Sequence, residues 1–178
     1  MQIYLTNFTP KPRHTIAMFF MNMGIGKDLH YPNEVTDAEA DDALKEIFKS
    51  HLDAPLEASS FNFFWRDIPI FLRAQLVRHR VGWGFAERSL RFYDANLRIK
   101  AVEEYDWDAM PTITEDKSKN PVFGGKTLRE IVQREMERQL ELYSLLLEEG
   151  IDQQDARNII GVFYPTAMQT TCSYRALR

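Results

Sequence analysis

The chain has 178 residues, of which 44% are hydrophobic and 27% charged, with a formal net charge of −4. That length supports one domain with a real core, and the balance leaves no segment polar and charged enough to stay disordered. An acidic surface repels a polyanion, so no polymeric nucleic acid is expected as a partner, and any phosphate must be held by a local cluster. The longest apolar stretches, Ile16 to Met23 and Ile68 to Leu72, fall far short of the ~20 residues that cross a bilayer, so no membrane partner is expected. Met1 to Phe8 lacks the basic start and apolar run of a secretory signal, and the single cysteine, Cys172, has no internal partner. A cytoplasmic location is the expectation.

In chain order, Gln2 to Phe8 reads as a strand closed by Pro10 and Pro12, and His14 to Met23 as a short helix stopped at Gly24 and Gly26. Thr36 and Glu39 form a capping box that opens a helix to His51, with Leu44, Ile47 and Phe48 on its buried face. Ser59 to Trp65 is aromatic and strand-prone. A helix then starts near Asp67 and Pro69 and runs through Arg78, where Gly82 and Gly84 end it. Lys117 to Gly125 is a polar loop. A second capping box, Thr127 with Glu130, opens the longest helix, whose stripe of Leu128, Ile131, Val132, Met136, Leu140, Leu142, Tyr143 and Leu146 continues to Glu149 before Gly150. Asp152 caps a helix through Ile160, and Thr166 to Ser173 is a final strand.

The basic residues are unevenly placed. Arg73, Arg78, Arg80, Arg88 and Arg91 crowd together with His79 in an acidic protein. On a helix, Gln75, Arg78 and His79 share a face. Gly82 and Gly84 let the following backbone approach a ligand closely. In an extended segment Glu87, Ser89 and Arg91 point the same way. A carboxylate, a hydroxyl and a guanidinium on one side suit a phosphorylated small molecule with hydrogen-bonding groups. The plainer alternative is a solvated basic face that complements a helix dipole, with Glu87 as its ion-pair partner.

The order of these residues bears on the choice between the two. Gln75, then Arg78-His79-Arg80, then Ser89-Leu90-Arg91-Phe92 after residues 81–88, resembles the signature of flavin-dependent thymidylate synthases (thymidylate synthase complementing proteins), with Glu87 where the family has its glutamate. Pro55-Leu56-Glu57, Phe61-Asn62-Phe63 and Pro69-Ile70-Phe71 resemble the segments upstream of the signature, and Asp155-Ala156-Arg157 and Ser173-Tyr174-Arg175 those downstream. The similarity touches residues 40–93 and 127–178 in the family's order.

The resemblance implies a single domain over residues 1–178 of α+β class, a small mostly antiparallel sheet packed with long helices, assembled as a homotetramer with shared sites. It implies FAD as cofactor, NADPH and methylenetetrahydrofolate as co-substrates, and methylation of dUMP to dTMP. Arg78, His79, Arg80, Glu87 and Arg175 would contact flavin, and Gln75, Glu87, Ser89, Arg91 and Arg157 would bind dUMP. Ser89 and Arg91 carry the catalytic expectation. Two alternatives stand beside it: a related flavin and folate reaction on a pyrimidine nucleotide, such as hydroxymethylation, or a catalytically silent nucleotide-binding or assembly protein.

The chain departs from the family's pattern at several positions. Trp83-Gly84-Phe85-Ala86 occupies the middle of the signature with one extra residue, Phe92 replaces tyrosine, Ser173 replaces asparagine, and Leu52 and Ala58 stand near the upstream histidines' places. The family continues beyond the point matching Arg178, so a divergent or C-terminally short member is expected. Trp83 is a candidate to stack on flavin or substrate.

No internal thiolate chemistry is expected, since Cys172 in Thr170-Thr171-Cys172-Ser173 has no neighbouring histidine. Gly124-Gly125-Lys126-Thr127 lacks the glycine of a phosphate-binding loop, with Asn120 in its place. His14, His30, His51 and His79 are scattered without ligand spacing, so no metal is expected.

Overall fold

A computed structural model describes residues 1–23, 31–89, 100, 104–106 and 124–178. Its elements are β1 (Gln2–Phe8), α1 (Pro12–Met23), α2 (Asp37–Ser50), a 3-10 turn (Ala54–Ala58), β2 (Ser60–Pro69), α3 (Ile70–Leu76), β3 (Trp83–Glu87), α4 (Leu128–Glu148), α5 (Gln153–Ala156), a second 3-10 turn (Arg157–Ile159), β4 (Pro165–Ser173) and α6 (Tyr174–Leu177). The strands form one sheet in the order β1-β2-β4-β3, the small antiparallel sheet with helices expected for the α+β class. The chain divides into two compact units, one of Met1–Ile3, Trp65–Arg78 and Glu87–Met168, the other of Tyr4–Phe64, His79–Ala86 and Gln169–Arg178.

In the first unit the core is built on α4. Thr127 accepts from the Glu130 backbone N–H while the Glu130 carboxylate accepts from Thr127 N at 2.6 Å, the reciprocal cap legible in the sequence. Val132, Met136 and Leu140, four residues apart, bury against Tyr105 and Tyr164, with Ile70, Leu128, Ile160 and Phe163 packed around them. Each such side chain contributes about 1.5–3 kcal/mol when fully buried. Leu142 leaves the expected stripe and is 43% exposed, because it lies roughly 100° around the helix from buried Tyr143. From the same helix Gln139 reaches across to accept from Gly161 N at 2.7 Å. The helix expected from Asp152 through Ile160 is shorter: α5 gives way to a 3-10 turn at Arg157, where an Ile159-Ile160-Gly161 run offers low helix propensity. Similarly, α3 ends at Leu76 and not Arg78, and Arg78 N closes a tighter bond to Gln75 O at 3.2 Å.

The second unit packs α1 against α2. Ala17, Val35, Ala40 and Ala43 let the two helices come close, and Ile16, Ile47 and Leu56 form an adjoining cluster with Phe20, Leu44, Phe48 and Tyr174 around it. The box of Thr36 and Glu39 caps α2, and His51 closes it in the left-handed conformation at φ 57°. Arg13 spans Asp37 and Asp41 at 2.8 and 2.6 Å, an exposed fork worth about 0–1 kcal/mol. Within this unit the strand pairing runs antiparallel: Thr9 N donates to Ser60 O and Thr6 Oγ1 to Asn62 O on one edge, and Ser173 N donates to Gly82 O on the other. A Cβ on Gly84 would meet Thr171 Cγ2 at 2.8 Å, so β3 lies against β4 only because residue 84 has no side chain.

Two outcomes follow for stability. Gly84→Ala should cost about 1–3 kcal/mol, the usual overpacking penalty, and adding Thr171→Ser, which removes the offending methyl, should restore much of it; urea denaturation of the single and double variants measures both. Glu135 is held at a pKa of about 2, first by its hydrogen bond from Arg138 and then by that from Gln139. A folded-state pKa below the ordinary 4.5 stabilises above the ordinary value, and that contribution fades as pH falls towards 2. The melting-temperature difference between the native chain and Glu135→Gln should therefore be present at pH 7 and vanish near pH 2.

Candidate functional site

In the first unit α3 is apolar except for Gln75 and Arg73. Gln75 and Arg78 are exposed, but the helix stops between them, so the shared helical face expected of Gln75, Arg78 and His79 does not form. Arg78 instead stands in the turn after the C-cap residue Val77. Glu87 ends β3, and the next residue extends the strand pairing, Arg88 N donating to Ala167 O at 3.1 Å. Its carboxylate takes Arg73 Nη1 at 2.9 Å. Glu87 thus has an ion-pair partner, as the plainer alternative required, but that partner is the helical Arg73. Ser89 is exposed just beyond the strand. Arg91, with Phe92, lies outside the described residues. Arg157 is half-buried on its 3-10 turn, where its Nε donates to Gln154 O at 3.0 Å. The terminal nitrogens of Arg157 make no hydrogen bond among the described residues.

The second unit gathers a different set. His79 and Arg80 are exposed in the turn that precedes β3, and Trp83 N closes it on Arg80 O at 3.3 Å. Gly82 sits at φ 73°, and a Cβ there would lie 2.7 Å from Ala176 Cβ and 3.1 Å from Ser173 Oγ. The turn is therefore pressed onto the start of α6. Ser173 caps that helix through Ala176 N, and Trp83 Nε1 donates to Ala176 O at 3.3 Å. The indole also stacks on Phe85 with centroids 6.1 Å apart. Trp83 thus helps to hold α6 through its ring nitrogen and lies half-exposed beside Phe85. Arg175 pairs with Glu57 at 2.6 Å and Arg178 with Asp53 at 2.9 Å, and Arg178 also lies 5.0 Å over the Phe48 ring. Hence the turn bearing His79 and Arg80 and the helix bearing Arg175 belong to one packed assembly with the Asp53 to Glu57 segment.

Among the described residues no ion-pair partner meets Arg78, His79 or Arg80. In the second unit the exposed imidazole of His79 and guanidinium of Arg80, on a glycine-bent turn, are donors whose chemistry suits the oxygens of an anionic group. A separate open cleft of about 490 Å³ lies on the sheet of the second unit, lined by Thr6, Asn62, Phe63, Phe85, Gln169 and Thr171 among others. No charged side chain lines it, so the negative charge of a phosphate is not met there. Among the described residues no group of three or more potential metal ligands gathers, and no helix is long and apolar enough to cross a membrane.

The thymidylate synthase complementing protein family model matches residues 5–178. The chain belongs to this family. It is 29% identical over 140 residues to a flavin-dependent thymidylate synthase of Streptomyces avermitilis, covering 75% of this chain and 55% of the relative. It is 25% identical over 178 residues to one of Sulfurisphaera tokodaii, covering 99% and 63%. The chain thus spans little more than half the length of these relatives. Among solved structures, it resembles the UMP/dUMP methylase PolB of Streptomyces cacaoi bound with 5-Br dUMP, with a TM-score of 0.68 at 22% identity, covering 99% of this chain and 74% of that one. It also resembles the flavin-dependent thymidylate synthase ThyX of Helicobacter pylori complexed with FAD and dUMP, with a TM-score of 0.64 at 18% identity, covering 99% and 81%. At those identities the likeness speaks for the fold.

Arg73 is the side chain that the motif passed over. Its signal was available, a lone cation in the otherwise uncharged Ile70–Leu76 helix. Cys172 completes the picture of the thymidylate synthase complementing fold: it is 2% exposed, and burial pushes its thiol above the ordinary range. A raised thiol is less ionised at neutral pH, so Cys172 in the native chain should resist iodoacetamide at pH 8 and react only after denaturation, as mass spectrometry of the alkylated protein will report.

Proposed function

We propose that this chain is an FAD-dependent enzyme that methylates dUMP to dTMP with methylenetetrahydrofolate and NADPH, acting in the cytoplasm as a homotetramer with shared sites. The observation that carries the reading is the run from Gln75 to Arg91 in family order, in a chain whose net charge is −4 and whose family match spans residues 5–178. Further support comes from relatives named flavin-dependent thymidylate synthases and from a fold shared with structures that hold FAD and dUMP.

The residues divide by chemistry. We assign Arg78, His79, Arg80, Glu87 and Arg175 to the flavin, with the arginines and the histidine as donors to its phosphate oxygens and the Glu87 carboxylate as an acceptor for its N–H or O–H groups. Gln75, Glu87, Ser89, Arg91 and Arg157 are assigned to the nucleotide, with Arg91 and Arg157 supplying guanidinium groups for its phosphate or for negative charge on the pyrimidine. Ser89 offers a hydroxyl that donates or accepts. When bound, the flavin supplies the hydride and one-carbon chemistry that no side chain here provides. Cys172, buried and raised in pKa, has no part as a nucleophile.

A second reading, modification of a related pyrimidine nucleotide, is favoured by the likeness to PolB, whose structures carry 5-Br dUMP and 5-Br UMP. Competition between dUMP and UMP separates the two.

Purified protein should carry flavin absorbance and release tritium from C5-labelled dUMP when given NADPH, methylenetetrahydrofolate and FAD. Arg78→Ala should weaken ligand binding by roughly 10- to 100-fold, the loss of one charged hydrogen bond. Ser89→Ala should lose more activity than Cys172→Ala, which should retain most of it. Tritium release that depends on Cys172 and not on Ser89 would overturn the mechanism, and no release from flavin-loaded protein would point to another substrate.

A further inference from the structure

The arginines paired with carboxylates among the described residues fall into two kinds. Arg13, Arg66, Arg138, Arg175 and Arg178 have side chains between 43% and 69% exposed in their pairs. Arg73 is 22% exposed and its partner Glu87 33%. Water screens the first group heavily, whereas the guanidinium of Arg73 is shielded to a greater degree and depends more on its partner. The contact is single-point, one Nη1 to one Oε2 at 2.9 Å. Arg73 Nε is buried without a hydrogen-bond partner among the described residues, so the guanidinium is not set in the two-bond fork that a purely structural arginine and carboxylate adopt most favourably. Among the described residues the second carboxylate oxygen of Glu87 takes no hydrogen bond. The backbone on which Glu87 stands is held by the Arg88 N to Ala167 O bond.

We infer that Arg73 is the positioning residue for Glu87 in nucleotide binding, an inference that rests on the reading of this chain as a dUMP-binding enzyme. A bare carboxylate repels an anionic ligand. Arg73 offsets that charge from the protein side and fixes Oε2, which leaves Oε1 as an oriented acceptor for an uncharged N–H or O–H donor of the nucleotide. Arg73 itself touches no ligand in this scheme and acts through Glu87. The helix supports the role: α3 carries Arg73 beside Ile70, which packs against the cluster around Tyr164, and Phe71, whose ring meets Phe163 at 5.3 Å, so the element that bears Arg73 is held on the core of the first unit.

The test is a double-substitution cycle on the full chain, reading dUMP affinity by calorimetry at pH 7 with melting temperatures alongside. Arg73→Met should weaken dUMP binding about tenfold, Arg73→Lys should lose about threefold or less, and Glu87→Gln should weaken binding as much as Arg73→Met. In the Glu87→Gln background, Arg73→Met should cost nothing further. In turnover, Arg73→Met should raise KM for dUMP with kcat little changed, the split expected of lost binding. Affinity losses that multiply in the double variant, or Arg73→Met binding like the native chain, would show that Arg73 is only structural. If Arg73→Met does not fold, Arg73→Lys carries the same cycle, and a loss that persists undiminished in the Glu87→Gln background overturns the inference. A native chain that binds no dUMP overturns the nucleotide reading first and this inference with it, whereas native binding with an uncoupled cycle overturns the inference alone.

Discussion

At Gly84 the close approach of two strands sets the geometry of everything built on the second unit. Thr171 Cγ2 occupies the space that a Cβ would take, at 2.8 Å, and two residues earlier Ala176 Cβ does the same for Gly82. With both side chains absent, β3 can lie flush on β4 while the turn before it folds onto α6. The indole of Trp83, between the two glycines, then closes the contact by donating to Ala176 O. These three residues turn a chain of separated motifs into one body in which the His79-Arg80 turn and Arg175 hold fixed places. A bulky residue at either glycine would disturb this packing, and under the proposed reading the donors on the turn would lose the preorganisation that an anion site needs.

Electrostatics explains why an acidic chain can carry such donors. Several of its described arginines are committed: Arg13 to Asp37 and Asp41, Arg138 to Glu135, Arg175 to Glu57, Arg178 to Asp53. Those pairs neutralise cations locally and contribute little to stability each, because water screens them. Arg78 and Arg80 are exposed and have no carboxylate against them among the described residues. Positions that the signature marks thus carry exposed cations in a chain whose net charge is −4. Under the proposed reading such an arrangement suits a small anion, since a polymeric one would meet repulsion from the rest of an acidic chain.

How far the sequence foretold this depends on the range of each signal. Capping boxes at Thr36 and Thr127 are local, three residues long, and both appear as read. β1 matches residue for residue, and β4 begins one residue earlier than expected. Helix ends were less legible: α3 and α5 stop short because their last turns tighten into 3-10 bonding, a preference that no apolar period records. The contacts of Trp83 and Arg73 were less legible for a different reason. Each is set by a partner far along the chain, Ala176 for one and Glu87 for the other, and a motif reports which residues recur in order without reporting what they touch. Arg91, by contrast, is plain in the motif and lies outside the described residues, so its place rests on order alone.

The buried thiol bears on the proposed chemistry in a way that the motif alone does not. Alkylation at C5 of a uracil ring requires electron density at that carbon, and a thiolate added to the neighbouring ring carbon is one means of supplying it. Here the one thiol is 2% exposed and its ionisation is suppressed by burial. It lies in β4 at an inward-facing position, between the exposed Thr171 and the half-buried Ser173. Bringing it to a substrate would mean opening the strand that pins β3 through Gly84. Under the proposed reading, activation of the ring must therefore come from charge placed around it, so the guanidinium groups assigned to the nucleotide are asked to stabilise the developing anion as well as to bind.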